Sequence, residues 1–226
     1  MGRKQLGYKH FNSHEIKFLN NKQNFSIASL NNRPIDFSTL PSGYRASHFV
    51  RDPRDLVVSG YFYHKRGAEP WCNIVDPTEN DFYIVNGMIP ENIQKGMSFA
   101  SYLSSLSLED GLKAEIDFRE KHFQCMEGWD FDNPQCLELR YEDIIGNELD
   151  AFTKIIDHYQ FVGSARKRAL SAVEKFAAKN QVNRQQHIRN PDSGQWKQHF
   201  TKDVEDYLYK KHPTLLQKTG YESRTI

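Results

Sequence analysis

Long apolar runs are missing from this 226-residue chain. No stretch reaches the roughly 18 apolar residues that a spanning helix needs, and mean hydropathy is −0.73. An integral membrane protein is therefore not expected. No apolar run follows Met1-Gly2-Arg3-Lys4-Gln5, so no signal peptide is expected and the expected location is cytoplasmic. Cysteine is scarce: Cys72, Cys125 and Cys136 are an odd count without metal-ligand spacing. That argues against a disulfide framework and a zinc site, and for buried thiols in a reducing compartment. Net charge is almost absent, with 30 Lys and Arg against 29 Asp and Glu. A near-neutral chain lacks the global field of a non-specific nucleic-acid binder, so any anion site must be local. Internal repeats, low-complexity tracts and Gly/Ser linkers are missing too, which favours one continuous domain over residues 1–226.

What is present is enough to build a core: hydrophobic residues are 38% and aromatics 13% of the chain. The first 45 residues are polar and broken, with short strands predicted at 7–11 and 25–30. The pattern sharpens at residues 45–50, a buried strand. Asp52 and Pro53 then read as an N-cap followed by proline at the first helical turn, and the helix is expected to end near Lys65. Residues 67–96 carry Pro70, Pro77 and Pro90 and read as a loop-rich insertion. Helical pattern returns near Ser98. Ser107 and Asp110 form a capping-box-like start, and Leu108, Leu112, Ile116 and Phe123 predict one helix from there to about residue 127. Residues 136–141 read as a strand. Helices are expected at about 148–160 and 164–179, and from Lys202 with an outer limit at Gly220. Strands alternating with helices point to an α/β fold with a parallel sheet.

Three segments carry chemistry. The first is Arg51-Asp-Pro-Arg-Asp-Leu-Val-Val-Ser59. Helix N-termini attract anions, Arg51 offers a guanidinium fork matched to phosphate, and Ser59 lies one to two turns further in. Alternatively, Arg51, Asp52, Arg54 and Asp55 only pair with one another. The second is Leu137-Glu-Leu-Arg-Tyr-Glu-Asp-Ile144, a strand with Tyr141 at its C-terminal end. Ligands of open parallel sheets sit beyond that end, so Tyr141 is placed to stack on a base, or is simply half-buried. The third runs from Ile188 to Thr201: either a surface loop anchored by Trp196 and Phe200, or a flap that closes Arg189 over an anion.

Taken in this order along the chain, the segments resemble the PAPS-dependent sulfotransferase family (PAPS is 3′-phosphoadenosine 5′-phosphosulfate). The first looks like the family's 3′-phosphate-binding motif and the second like the strand whose Tyr lies near the adenine. The third, Arg189-Asn-Pro-Asp-Ser-Gly-Gln-Trp-Lys-Gln-His-Phe-Thr201, is similar to the C-terminal flap. The resemblance implies a three-layer P-loop-type α/β fold, a parallel sheet flanked by helices. It implies PAPS as cofactor, with Arg51, Ser59, Tyr141 and Arg189 as its contacts. It further implies transfer of a sulfuryl group to a hydroxyl or amine of a small-molecule or glycan acceptor, with neither nucleic acid nor membrane as partner. Asn190 and Pro191 stand where the family usually has Lys-Gly, which removes a cation and stiffens the flap.

Two features of the family are not in the sequence. The phosphosulfate-binding loop of the type Pro-Lys-Ser-Gly-Thr-Thr does not occur, and no His stands at the Lys-Thr-His position that often supplies the base, where residues 26–31 read Ser-Ile-Ala-Ser-Leu-Asn. His10, His14 and His64 are nearby but read as surface or packed residues, so no catalytic base is assigned. The expectation is a fold lacking its first strand and loop, with residues 7–11 as its second strand, in a chain incomplete at its N-terminus. A non-catalytic module that binds 3′-phosphoadenosine 5′-phosphate (PAP) is the alternative to a transferase. Tyr61, Tyr63, Trp71, Phe82 and Tyr83 are either an aromatic wall for an acceptor or core beneath the insertion. The basic run Arg166-Lys167-Arg168 has acidic residues interspersed around it and reads as a solvated helix face.

Overall fold

The computed structural model describes residues 10–13, 27–30, 33–176 and 192–222. In chain order the strands are β1 (His10–Ser13), β2 (Ile27–Leu30), β3 (Ala46–Val50) and β4 (Cys136–Arg140). The helices are α1 (Pro53–Lys65), α2 (Glu79–Tyr83), α3 (Phe99–Ser105), α4 (Leu108–Phe118), α5 (Glu120–Glu127) and α6 (Tyr141–Ile144). They continue with α7 (Glu148–His158), α8 (Gly163–Phe176), α9 (Trp196–His199), α10 (Lys202–Lys211) and α11 (Leu215–Lys218). Among the described residues no helix is long and apolar enough to cross a membrane. These residues divide into two compact units: one from within 1–50 and 130–184, the other from within 51–129 and 185–226.

The first unit holds the sheet. β3 and β4 pair in parallel, with Ala46 opposite Cys136 and Val50 opposite Arg140. A parallel pair cannot be closed by a tight turn and needs a long crossover, which the chain supplies through residues 51–135. His48 and Glu138 face each other in this register, and His48 Nδ1 lies 2.7 Å from Glu138 Oε2. Leu139, Ile144 and Ala151 form a small core, with Leu137, Phe152 and Ile155 packed against it. β1 and β2 make a second parallel pair, His10 opposite Ile27. The result is a mixed helix and sheet fold with small parallel sheets. β1 overlaps the strand expected at 7–11 and β2 lies within the one expected at 25–30; residues 7–9 and 25–26 are outside the described residues.

The strand expected at 136–141 stops one residue sooner. Tyr141 is the first residue of α6, whose turn closes when Ile145 N–H donates to the Tyr141 carbonyl at 3.1 Å. Glu142 and Asp143 in that first turn suit the positive end of a helix.

The second unit is helical. Asp52 caps α1, accepting a hydrogen bond from Arg54 N–H at 2.9 Å, and Pro53 occupies the first turn, as the sequence predicts. Val57, Val58 and Tyr61 of α1 join Leu103, Leu112 and Ile116 in one core. Trp71 stacks on Phe118 with centroids 5.2 Å apart, and Phe82 meets Trp71 edge-on at 5.2 Å. Phe82 is fully buried and Trp71 packs against the same core, whereas Tyr83 is exposed. Tyr61, Trp71 and Phe82 are therefore core and not an open wall.

The single helix expected over 107–127 is two helices. Met88 N–H donates to the Phe118 carbonyl at 2.9 Å, so that carbonyl is claimed from outside the helix. Arg119 links the two helices, and its Nε returns to Glu115 Oε1 at 2.7 Å. The ladder restarts when Phe123 N–H bonds to the Arg119 carbonyl at 2.9 Å.

Candidate functional site

The start of α1 gathers four charges within five residues, and they do not simply neutralise one another. Asp52 and Arg54 do pair: Arg54 Nε and Nη2 reach Asp52 Oδ1 and Oδ2 at 3.0 and 2.8 Å. Both are buried. Arg54 then serves two further segments. Its Nη2 donates to the Tyr221 carbonyl at 3.2 Å, and its guanidinium lies 3.6 Å from the centroid of the Trp196 ring.

Asp55 behaves differently. Its side chain is only 4.0 Å from Arg51 Nη2, a charge contact beyond hydrogen-bonding distance. Its hydrogen bonds go to a distant part of the chain: Gly194 N–H donates to Oδ2 at 2.6 Å and Trp196 N–H to Oδ1 at 3.0 Å. Burial pushes the Asp55 carboxyl above its ordinary value of 3.8, and the two N–H donors and Arg51 offset this only in part.

This arrangement alters the expected route to anion binding. Pro53 has no N–H, and Arg54 N–H is held by the Asp52 carboxylate. Leu56 N–H bonds to the Asp52 carbonyl at 3.0 Å. The free backbone donors that usually draw anions to a helix start are thus largely spent. Arg51 is 13% exposed at its side chain, and Ser59 is partly buried further along α1.

Arg51 and Ser59 belong to the same unit and flank or sit on the same helix. Tyr141 belongs to the other unit, partly buried at the start of α6. Arg189, with Asn190 and Pro191, lies outside the described residues. His14 lies outside them as well, and of His10 only the backbone is described. His64 is buried: its Nδ1 lies 2.8 Å from Glu115 Oε2, and the rings of Trp71 and Phe118 sit 4.9 and 5.0 Å from its own. It is a packed core residue, 6% exposed. Among the described residues no group of three or more His, Cys, Asp or Glu side chains could hold a metal ion.

The roles of Asp55 and Arg54 toward residues 194–196 and 221 were not visible in the sequence. The only hint was that the Gly194-Gln195-Trp196 stretch ends the flap-like segment. Nothing in its spacing names a partner on α1.

No model of a known protein family matches the chain, and no curated protein matches it. Among solved structures, the chain is similar to mouse sulfotransferase SULT7A1 complexed with PAP, at a TM-score of 0.44 and 14% identity. That match covers 98% of this chain and 77% of the other. It is also similar to retinol dehydratase in complex with androsterone and inactive cofactor PAP, at a TM-score of 0.42 and 16% identity. That match covers 87% of this chain and 54% of the other. Likenesses this loose fix neither family nor activity.

Proposed function

We propose that the chain is a sulfotransferase-type protein that holds the 3′-phosphate of PAPS, or of its product PAP, beside the start of α1. Arg51 and Ser59 are its ligands there, with Arg189 and Tyr141 as further contacts. The observation that carries this reading is the sequence itself: Arg51 and Ser59 in one motif, followed in the family's order by residues 139–143 and 189–201. The donor inventory of α1 agrees with it. With the Arg54 and Leu56 N–H groups occupied by Asp52, a phosphate would draw chiefly on the Arg51 guanidinium and the Ser59 hydroxyl. Both are good phosphate donors, and the guanidinium can bond in a bidentate manner.

PAPS would supply the activated sulfuryl group, and the acceptor would be a hydroxyl or amine of a small molecule or glycan. The 226 residues contain no Pro-Lys-Ser-Gly-Thr-Thr loop, the part that would cradle the 5′-phosphate. Binding is therefore the first property to test, and transfer the second.

The test is calorimetric titration of PAP and of 5′-AMP, which lacks the 3′-phosphate. PAP is expected to bind about 10- to 100-fold more tightly, the worth of charged hydrogen bonds to one phosphate. Arg51→Ala should erase that preference while leaving the thermal transition in place. Equal binding of the two nucleotides, or none, overturns the reading. Incubation with PAPS and a panel of acceptor alcohols and amines then separates two outcomes. Turnover establishes a transferase, and binding without turnover leaves a PAP-binding module.

A further inference from the structure

One histidine of the helical unit lies between two carboxylates. His212 follows α10 and is 2% exposed. Its Nδ1 is 3.3 Å from Glu127 Oε2, and its Nε2 is 3.4 Å from Glu120 Oε2. Both glutamates stand on α5, about two helical turns apart. Phe123, fully buried on the same helix, meets the imidazole edge-on at 5.1 Å. Nδ1 is hydrogen-bonded to Glu127, whereas Nε2 is buried and makes no hydrogen bond.

A neutral imidazole has one N–H and one lone pair. The bond to Glu127 would place the N–H on Nδ1 and leave the lone pair of Nε2 against the Glu120 carboxylate. The other tautomer only moves the same conflict to Glu127. The imidazolium alone presents an N–H to each glutamate. The glutamates are poor homes for that proton. Glu127 Oε1 already accepts from Thr214 N–H and Oγ1 at 3.3 and 2.7 Å, and Lys211 Nζ lies 3.7 Å from Glu120 Oε2. Such donors suit carboxylates rather than carboxylic acids.

Two further features favour a cation at this place. His212 caps the C-terminal end of α10, its N–H bonded to the Leu208 carbonyl at 2.8 Å, where a helix carries partial negative charge. The surroundings are also acidic. Asp117 on α4 joins Glu120 and Glu127, and Lys211, the lysine among them, is engaged with Asp117 at 2.6 Å. Tyr207 donates its hydroxyl to Asp117 at 2.8 Å and adds no positive charge.

We propose that His212 is a structural imidazolium, a proton bound as part of the fold that clasps the end of α10 to α5 and makes the stability of the helical unit pH-sensitive. Linkage gives the sign. The unfolded chain offers the ring no fixed pair of carboxylates, so the folded state holds this proton more tightly. The stability it contributes is full at low pH and is lost as pH rises through the range where histidine deprotonates. The clasp bears on α1 as well, because α11 and Tyr221 follow it and the Tyr221 carbonyl accepts from Arg54 at 3.2 Å. The proton is bound whether or not the chain binds PAP.

Ring-nitrogen NMR tests the proposal on wild type, without any substitution. As pH is raised from about 5 to about 8, the folded His212 ring should keep both N–H protons after the same ring in urea-unfolded protein has lost one. Loss at the same pH, or at a lower one, overturns the proposal.

Urea unfolding of wild type and His212→Gln gives the stability readout. Wild type should have the higher midpoint at about pH 5, and the gap should narrow towards about pH 8. A constant gap is what a merely packed histidine would give, and a widening gap would make the neutral ring the favoured form; either result sinks the proposal. Glu120→Gln and Glu127→Gln test the two sides of the clasp. A side-chain amide can donate to a ring lone pair, so each should flatten the dependence of the wild-type midpoint on pH. A dependence unchanged in both variants would show that the carboxylates are not its cause, and the proposal would fall.

Discussion

The guanidinium of Arg54 lies face-on to the indole of Trp196, 3.6 Å from its centroid, and joins two segments 142 residues apart in the sequence. The same guanidinium is bonded to Asp52 and to the Tyr221 carbonyl, and it is 3% exposed. Arg54→Ala would take the guanidinium away from the buried Asp52 carboxylate. The expected cost is about 3–5 kcal/mol in urea unfolding. Arg54→Lys should recover little of it, since an ammonium cannot both fork onto a carboxylate and stack on an indole. A double-mutant cycle with Trp196→Ala should yield a coupling of about 2 kcal/mol, the value for a desolvated cation over an aromatic face. Additive losses would show that the stacking carries no energy of its own.

Gly60 should not tolerate a side chain, although it lies inside a helix where alanine is usually favoured by about 1 kcal/mol. A Cβ there would come 2.1 Å from Glu115 Oε1 and 2.3 Å from Arg119 Nη2. Those atoms are not loose ends. Glu115 is fully buried and held by His64 at 2.8 Å and by Arg119 at 2.7 Å. Gly60→Ala must push this triad apart, so the expected outcome is destabilisation by about 1–3 kcal/mol, read as a lower urea midpoint. A higher midpoint would mean that the triad gives way freely.

The contrast between these two sites explains what the sequence could tell. Asp52 capping α1, Ser107 capping α4 through Asp110 N–H, and Thr201 capping α10 are local events. They are set within three residues and are legible from residue order. The division of the 107–127 helix was not legible. It follows from Met88 reaching the Phe118 carbonyl across thirty residues, and periodicity carries no record of such a partner. The same holds for the start of α1. Arg51 and Ser59 stood out through the resemblance of their segment to a family motif, whereas Asp55 read as one more charge in an alternating run. Its true partners, Gly194 and Trp196, are backbone groups, and backbone N–H groups have no signature in a sequence.

Two thiols should be inert in the folded protein. Burial pushes Cys72 up to about 12, and burial together with the Glu138 carboxylate does the same for Cys136. At pH 8 the reactive thiolate would then be about one part in ten thousand at each. A thiol-reactive dye added to native protein should leave both unmodified over minutes, while addition of urea should open all three cysteines to labelling. Fast native labelling at Cys72, mapped by mass spectrometry, would contradict the burial of this residue at 0% exposure.

The pH dependence of stability offers a separate reading of Asp55. Its carboxyl is raised above 3.8 because burial outweighs the Trp196 and Gly194 donors and Arg51. The folded protein therefore keeps this proton to a higher pH than the unfolded chain does. Between the two values the unfolded state binds fewer protons, so this group makes stability fall as pH rises. Below about 3.8 both states are protonated and the contribution is flat. The comparison to make is wild type against Asp55→Asn, because every other carboxylate is common to the two proteins. On acidification from neutral pH, wild type should gain stability relative to Asp55→Asn through the raised carboxyl. The gap should level off once pH drops below the unfolded value. A gap that moves against wild type on acidification would mean that the two backbone donors outweigh burial, which would make the Gly194 and Trp196 contacts stronger than their geometry alone implies.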